Sequence, residues 1–319
     1  MGDIVILRRL KRSERIVRFL LIFLTVIFAI ICIALFSTNN TTEKRIARED
    51  QPIVDTYTID YKKWIEENKA LEAQLKKEAE EKAKKEAEEK AAAEAARKAA
   101  EQNAAIPGVP GNGATIYLTF DDGPNDPFTS QLLDILAKRK IKATFFVTCG
   151  GSDAMLHREF QEGHSIGLHT CSHNYAAVYA NPDAYFGDLA AVGDRVARVT
   201  GQASTMIRFP GGSSNTVSAI YYGGLMSLLV NEVHNRGFEY YDWDVSSGDA
   251  SGAGYDAGTL CRNVVAGLGP GKNNIVLFHD RQQSTIDSVG CVIDWATANG
   301  YTFSALDRNS PTAHHRVFN

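Results

Sequence analysis

The sequence predicts an α/β domain on a parallel sheet of about seven strands, preceded by a transmembrane helix and a charged helical stalk. Three observations carry this. Short apolar runs alternate with helix-like segments through residues 114–308, the rhythm of repeated strand–helix–strand units. A basic N-terminus is followed by an uncharged apolar run, as in a membrane span. Between these two regions lies a stretch made almost entirely of Glu, Lys and Ala, which favours helix but offers little to bury.

Residues 1–18 carry Arg8, Arg9, Lys11, Arg12, Arg15 and Arg18, and residues 19–36 carry no charge. At about 1.5 Å per residue the apolar run covers most of a ~30 Å hydrocarbon core. The basic flank predicts a cytoplasmic segment at 1–18, an anchor at 19–36 and an extracytoplasmic remainder, placing the protein in the cell membrane as a single-pass protein. A cleaved signal peptide is the competing reading. The apolar run is longer than a usual signal core, and no small-x-small signature precedes Ser37-Thr38-Asn39-Asn40. A formal net charge of -4 argues against nucleic acid as a partner.

Residues 37–113 read as stalk and linker, helical over about 61–103. Glu and Lys recur three and four positions apart, which supports an exposed helix. Leu71 and Leu75 are followed mainly by Ala, so a coiled coil is confined to the start of the segment. Some 40 helical residues would span on the order of 60 Å and hold the following domain away from the bilayer. Pro107, Gly108, Pro110 and Gly111 then end the helix and mark a domain boundary.

Within 114–308, strands are expected at Thr115 to Phe120, Ala143 to Thr148, Ser165 to His169, Met206 to Phe209, Tyr240 to Val245, Ile275 to His279 and Tyr301 to Ala305. Helices are expected at Thr129 to Arg139, Asp183 to Val199, Thr216 to Arg236, Asp256 to Ala266 and Thr285 to Ala298. Residues 309–319 read as a C-terminal tail. This order suits a barrel or a doubly wound sheet, and in either the chemistry belongs at the C-terminal ends of the strands.

Polar residues fall at those ends. The first strand runs into Asp121-Asp122-Gly123-Pro124, the third into His169-Thr170-Cys171-Ser172-His173, the fourth into Arg208-Phe209-Pro210-Gly211 and the sixth into His279-Asp280. Adjacent carboxylates repel, so a fold that keeps both gives them separate work. Two His four apart with a carboxylate form a three-ligand set that leaves a position for water. That set suits zinc and accepts other divalent ions such as Co2+, Ni2+ or Mn2+. Cys171, between the two His, is awkwardly placed as a fourth ligand.

Thr119 to Pro124, His169 to His173, Arg208 to Gly211 and Leu277-Phe278-His279 together resemble the successive motifs of carbohydrate esterase family 4, the polysaccharide deacetylases with a NodB-homology domain. The resemblance covers roughly residues 114 to 306. It implies a distorted (β/α) barrel that removes acetyl groups from sugars with a divalent metal. It makes Asp122, His169 and His173 the metal ligands, Asp121 the general base and His279 the general acid. Arg208 pairs with Asp121, the backbone N–H of Gly211 serves the oxyanion, and Leu277 and Trp243 contact substrate, Leu277 lining the acetyl methyl pocket or, as an apolar strand residue, packing in the core.

The chain departs from the family pattern at three positions. Gly211 stands where an aromatic usually follows the Pro. In the segment Asp242 to Ala250, Ser246 stands where the family has the Asp that tunes the catalytic His, and Ala250 where it has a Trp. Asp244, Asp249 and Asp280 remain open as sources of that carboxylate. These losses suggest a more open groove. Cys32 lies in the span; Cys149, Cys171, Cys261 and Cys291 allow three full pairings or free thiols.

The expected function is hydrolytic removal of acetyl groups from cell-wall glycan, foremost N-acetylglucosamine of peptidoglycan. The alternatives are another acetylated glycan, such as chitin oligomers, xylan or an exopolysaccharide, and a wall-binding scaffold that kept the fold. Nothing in the sequence sets an oligomeric state.

Overall fold

The computed structural model describes residues 51–104 and 106–319. The span expected at 19–36 lies outside the described residues, and among those described no helix is long and apolar enough to cross a membrane. Helix α1 (Gln51–Ala104, 54 residues) begins ten residues before the expected start, and its rise gives a rod of about 80 Å. Pairs such as Lys63–Glu67 and Lys84–Glu88 lie one turn apart along it. Leu71 and Leu75 are 53% and 56% exposed, so the apolar positions at that point of the helix are uncovered.

Residues 106–319 hold eight strands: β1 (Thr115–Asp121), β2 (Thr144–Val147), β3 (Ser165–Leu168), β4 (Met206–Ile207), β5 (Glu239–Tyr240), β6 (Val245–Ser246), β7 (Ile275–His279) and β8 (Thr302–Phe303). All are parallel, in the order β5-β4-β3-β2-β1-β7-β6, with β8 beside the start of β1. The strands at the two ends of this order, β5 and β6, are consecutive in the chain and separated only by Tyr241–Asp244. Five Cα steps reach at most ~18 Å. The sheet must therefore curl until its edges nearly meet, giving a distorted barrel with a seam between β5 and β6.

The helices in chain order are α2 (Phe128–Arg139), α3 (Asp153–Gln161), α4 (Tyr175–Val178), α5 (Pro182–Thr200), α6 (Ser218–Tyr221), α7 (Leu225–Asn235), α8 (Ala257–Gly267) and α9 (Gln283–Ala298). Strand β1 shows how the layers form. Ile116, Leu118 and Phe120 join the large apolar cluster with helix residues such as Leu132, Leu136 and Val289, while Tyr117 packs against a second cluster of Phe146, Met206, Tyr241, Ile275, Leu306 and Ala313. Alternation by two then puts Thr119 and Asp121 on the second face with Tyr117.

Several expectations change. The strand expected over Tyr240 to Val245 is two strands flanking the seam: the Tyr241 N–H still bonds the Ile207 carbonyl beside β4 and the Asp244 N–H already bonds the Ile275 carbonyl of β7, while Asp242 and Trp243 between them bond the tail at Ala313 and His315. The helix expected over Thr216 to Arg236 is divided at Gly223-Gly224, where Gly224 has φ 78°. Helix α3, capped by the Ser152 side chain accepting from the Met155 N–H, was not expected. Residues 309–319 pack on the domain: the Asp242 N–H donates to the Ala313 carbonyl, and the Ser227 N–H to that of Asn319. The cysteines pair as Cys149–Cys171 and Cys261–Cys291.

Candidate active site

Register brings the site together. Asp121 and His279 are directly paired positions on β1 and β7. His169 follows β3, and Arg208 follows β4, each by one residue. Asp122, Thr170 and His173 all have positive φ, at 75°, 63° and 48°, an uncommon conformation for such residues that clusters at functional turns. Gly123 completes the first turn; a Cβ there would lie 2.6 Å from a carboxylate oxygen of Asp280. The Cys149–Cys171 disulfide ties the turn carrying both His to the end of β2, so Cys171 is no metal ligand.

Asp122, His169 and His173 converge. Asp122 Oδ1 lies 3.6 Å from His169 Nε2 and 3.4 Å from His173 Nε2, and the three ligand atoms all fall within 4.8 Å of one another. Ligands bonded at about 2.0–2.1 Å around a tetrahedral ion stand about 3.3 Å apart. Asp122 Oδ1 is buried with no hydrogen-bond partner, a costly arrangement unless a cation takes it. Nδ1 of His169 sits 2.8 Å from the Arg208 carbonyl, which fixes the proton there and leaves Nε2 free to ligate. Burial and then His169 lower the pKa of His173 against the pull of the carboxylates, favouring the neutral ring a ligand needs. The residues fit a divalent ion.

Asp121 is 2% exposed. Its Oδ1 accepts from Arg208 Nη1 at 2.8 Å, while Oδ2 faces His169 Nε2 at 3.7 Å. Arg208 is fully buried. It also donates to Thr119 Oγ1 at 2.7 Å and to the Tyr241 and Asp242 carbonyls at 2.7 and 3.0 Å, so one guanidinium links β1 to the seam. Asp242, not singled out from the sequence, accepts from the Ser213 N–H and hydroxyl and from the His315 N–H. It thereby joins the loop after Gly211 to the tail.

The open question of the carboxylate behind His279 resolves to Asp249. Its Oδ1 lies 2.9 Å from His279 Nδ1 and its Oδ2 accepts the His279 N–H at 2.7 Å. Burial alone would lower the pKa of His279, yet the Asp249 bond and the charges of Asp121, Asp249 and Asp122 leave it raised. Burial would raise Asp249, but its bonds to His279 hold it low. Ser246 is exposed, and its hydroxyl accepts from the Gly248 N–H. Asp244 accepts the Ile275 N–H. Asp280 is turned beneath the turn, accepting from the Thr129 hydroxyl, and burial pushes it up to about 7.

A cleft of about 470 Å³ is lined by Asp121, Asp122, His169, His173 and His279, with Gly211, Leu277 and Trp243 in its walls. Gly211 has φ 76°, and a Cβ there would meet the Tyr175 hydroxyl at 2.7 Å. Tyr175, missed in the sequence, thus fills space beside the glycine where the family carries an aromatic. Arg281, also missed, donates to Asp122 Oδ2 at 2.7 Å.

The family model described as polysaccharide deacetylase matches residues 108–222. A chitooligosaccharide deacetylase of Sinorhizobium fredii is 33% identical over 220 residues, covering 65% of this chain and 90% of its own. The chain belongs to the polysaccharide deacetylases. A peptidoglycan-N-acetylglucosamine deacetylase of Bacillus cereus is 30% identical over 215 residues, 65% of this chain and 72% of that one. Among solved structures, the catalytic domain of a peptidoglycan N-acetylglucosamine deacetylase from Eubacterium rectale is 42% identical, with TM-score 0.62, covering 68% of this chain and 99% of that one. This polysaccharide deacetylase is a hydrolase of carbon–nitrogen bonds other than peptide bonds, of a family that is generally metal-dependent.

Proposed function

We propose that this deacetylase removes the N-acetyl group from N-acetylglucosamine of peptidoglycan, with zinc held by Asp122, His169 and His173. The observation that carries this is the meeting of that ligand set, Asp121 and the Asp249-backed His279 in one cleft. A divalent ion there supplies a Lewis acid for the acetyl carbonyl and makes water a better acid. Asp121, its Oδ1 held by Arg208, uses Oδ2 to take the proton of the attacking water. The Gly211 N–H serves the developing oxyanion. His279, with Nδ1 directed to Asp249, hands a proton from Nε2 to the departing sugar nitrogen. Leu277 and Trp243 bound the substrate.

The peptidoglycan assignment draws on the relatives in Eubacterium rectale and Bacillus cereus. The chitooligosaccharide relative supports chitin oligomers as a second reading. We also propose that residues 19–36 anchor the protein with residues 1–18 in the cytoplasm. Two disulfides in the catalytic unit support an oxidising, extracytoplasmic setting.

Acetate release from peptidoglycan, chitin oligomers and acetylated xylan, with zinc and with chelator, tests the reaction. Release from peptidoglycan that is lost with chelator, in His169→Ala and in Asp121→Asn is the expected result. Release only from xylan rejects N-deacetylation, and release from no substrate while metal is bound favours the scaffold. Membrane fractionation with protease protection tests the anchor, which a catalytic unit shielded by the intact membrane refutes.

A further inference from the structure

A second group of metal-binding character lies apart from the cleft, formed by His234, Glu239 and His314. They come from three segments: the last turn of α7, the first residue of β5 and the C-terminal tail. Glu239 begins its strand, so the group belongs to the end of the sheet opposite the catalytic residues. It shares no residue with the catalytic set.

We infer that His234, Glu239 and His314 form a second transition-metal site, which staples the C-terminal tail to the domain. The three ligand atoms fall within 4.8 Å of one another. His314 Nε2 is 3.1 Å from Glu239 Oε1, and His234 Nδ1 is 3.8 Å from Glu239 Oε2. These separations bracket the roughly 3.3 Å between ligands of a tetrahedral zinc ion. Two imidazoles and a carboxylate, partly open to water, are a donor set for zinc-like ions and a poor one for Ca2+ or Mg2+.

The rings are held in place before any ion arrives. His314 stacks on Tyr240 at 3.9 Å and 14°, and His234 packs on the same ring at 5.5 Å. Tyr240 is itself buried. Its N–H donates to Glu239 Oε1 at 3.1 Å, orienting the carboxylate. In the ion-free state His314 Nε2 faces two acceptors, Glu239 Oε1 and the Tyr240 carbonyl, so it carries the proton. Binding an ion would require the Nδ1–H tautomer, which leaves the Nε2 lone pair as the ligand.

The staple has a structural consequence at the cleft. The next residue, His315, donates its N–H to Asp242, sits 2.7 Å by Nε2 from the Trp243 carbonyl and packs edge-on to the Trp243 ring. A pinned tail therefore braces the wall that carries Trp243.

The test is zinc stoichiometry of the untagged full chain in detergent, by equilibrium dialysis against zinc chloride and metal analysis. Wild type is expected to hold two ions and His234→Ala one. His169→Ala/His173→Ala is expected to retain one ion, with a zinc-dependent rise in Tm that disappears when His234→Ala is added. His234 lies on the surface, so its replacement leaves the fold intact. Two ions retained by His234→Ala overturn the inference, as does loss of all zinc from His169→Ala/His173→Ala.

Discussion

Replacing Arg208 by Met tests the claim that one buried guanidinium both holds the candidate base and closes the seam. The substitution keeps an unbranched apolar stem and removes the guanidinium with its bonds to Asp121, Thr119, Tyr241 and Asp242. Its aliphatic stem can still pack near Phe146, over which the guanidinium carbon lies at 4.2 Å. Removing one partner of a buried ion pair costs about 3–5 kcal/mol, because the other charge is left unpaired. Two carbonyls losing their donors add about 1 kcal/mol or more. The expected loss is about 5 kcal/mol, or about 15 °C in Tm at the 2–4 °C per kcal/mol typical of a domain this size. Arg139, paired with Asp294 at 2.7 and 2.9 Å but at the surface, is the control, and its Met variant should lose less than about 1 kcal/mol. Urea unfolding of Arg208→Met, Asp121→Asn and the double variant completes the cycle. A coupling of at least about 2 kcal/mol is expected; additive losses, or a cost for Arg208→Met no greater than the control, refute the reasoning.

Asp249→Asn should move the alkaline limb of the pH–kcat profile to lower pH. His279 must be protonated to act as acid, activity falls as pH rises through its raised pKa, and removing Asp249 removes the leading cause of the rise; an unmoved limb rejects His279 as the acid. Burial, followed by the charges of Lys142 and Arg158, pushes His164 down to about 4. The unfolded chain then takes up a proton near 6.5 that the folded chain refuses, so stability should fall by about 2 kcal/mol between pH 7 and pH 5. His164→Gln should flatten that slope in denaturant titrations. Cys149→Ser/Cys171→Ser should lose about 3 kcal/mol, as should removal of the Cys261–Cys291 link. Only the first pair holds the turn of His169 and His173, so zinc affinity measured by competition should weaken in that variant alone.

The parts of the fold that depend on local pattern could be read from the chain. Alternation along Thr115 to Phe120 placed β1, and the polar residues just after β1, β3, β4 and β7 pointed to one mouth. The missing parts depend on contacts distant in sequence. Strands β4, β5 and β6 are two residues each, too short for a period to register, and their edges are set by what Tyr241–Asp244 bond to. Asp249 could have been singled out only as one of three nearby carboxylates, since its loop geometry decides which oxygen meets His279. Asp242 and the tail carried no signal, because their role is visible only once Ala313 and His315 lie beside the seam. Pairing of four cysteines needs the fold itself. Arg281 follows the motif residue His279 by two positions, a proximity that could have drawn attention to it.

The seam between β5 and β6 divides the site into groups held by strand register and groups held by loop contacts. A residue inside a ladder has its neighbours dictated by register, so a catalytic group lost there has few substitutes. Around the seam the chain is held by side-chain and tail contacts, and the loop beyond the two-residue β6 is free to reach back toward β7. The carboxylate behind His279 comes from Asp249 on that loop, while Ser246 stands at the strand position. The group that orients His279 is thus fixed by a loop conformation and not by strand register, and its reach depends on the bonds that tie that loop to Gln282 and Thr285.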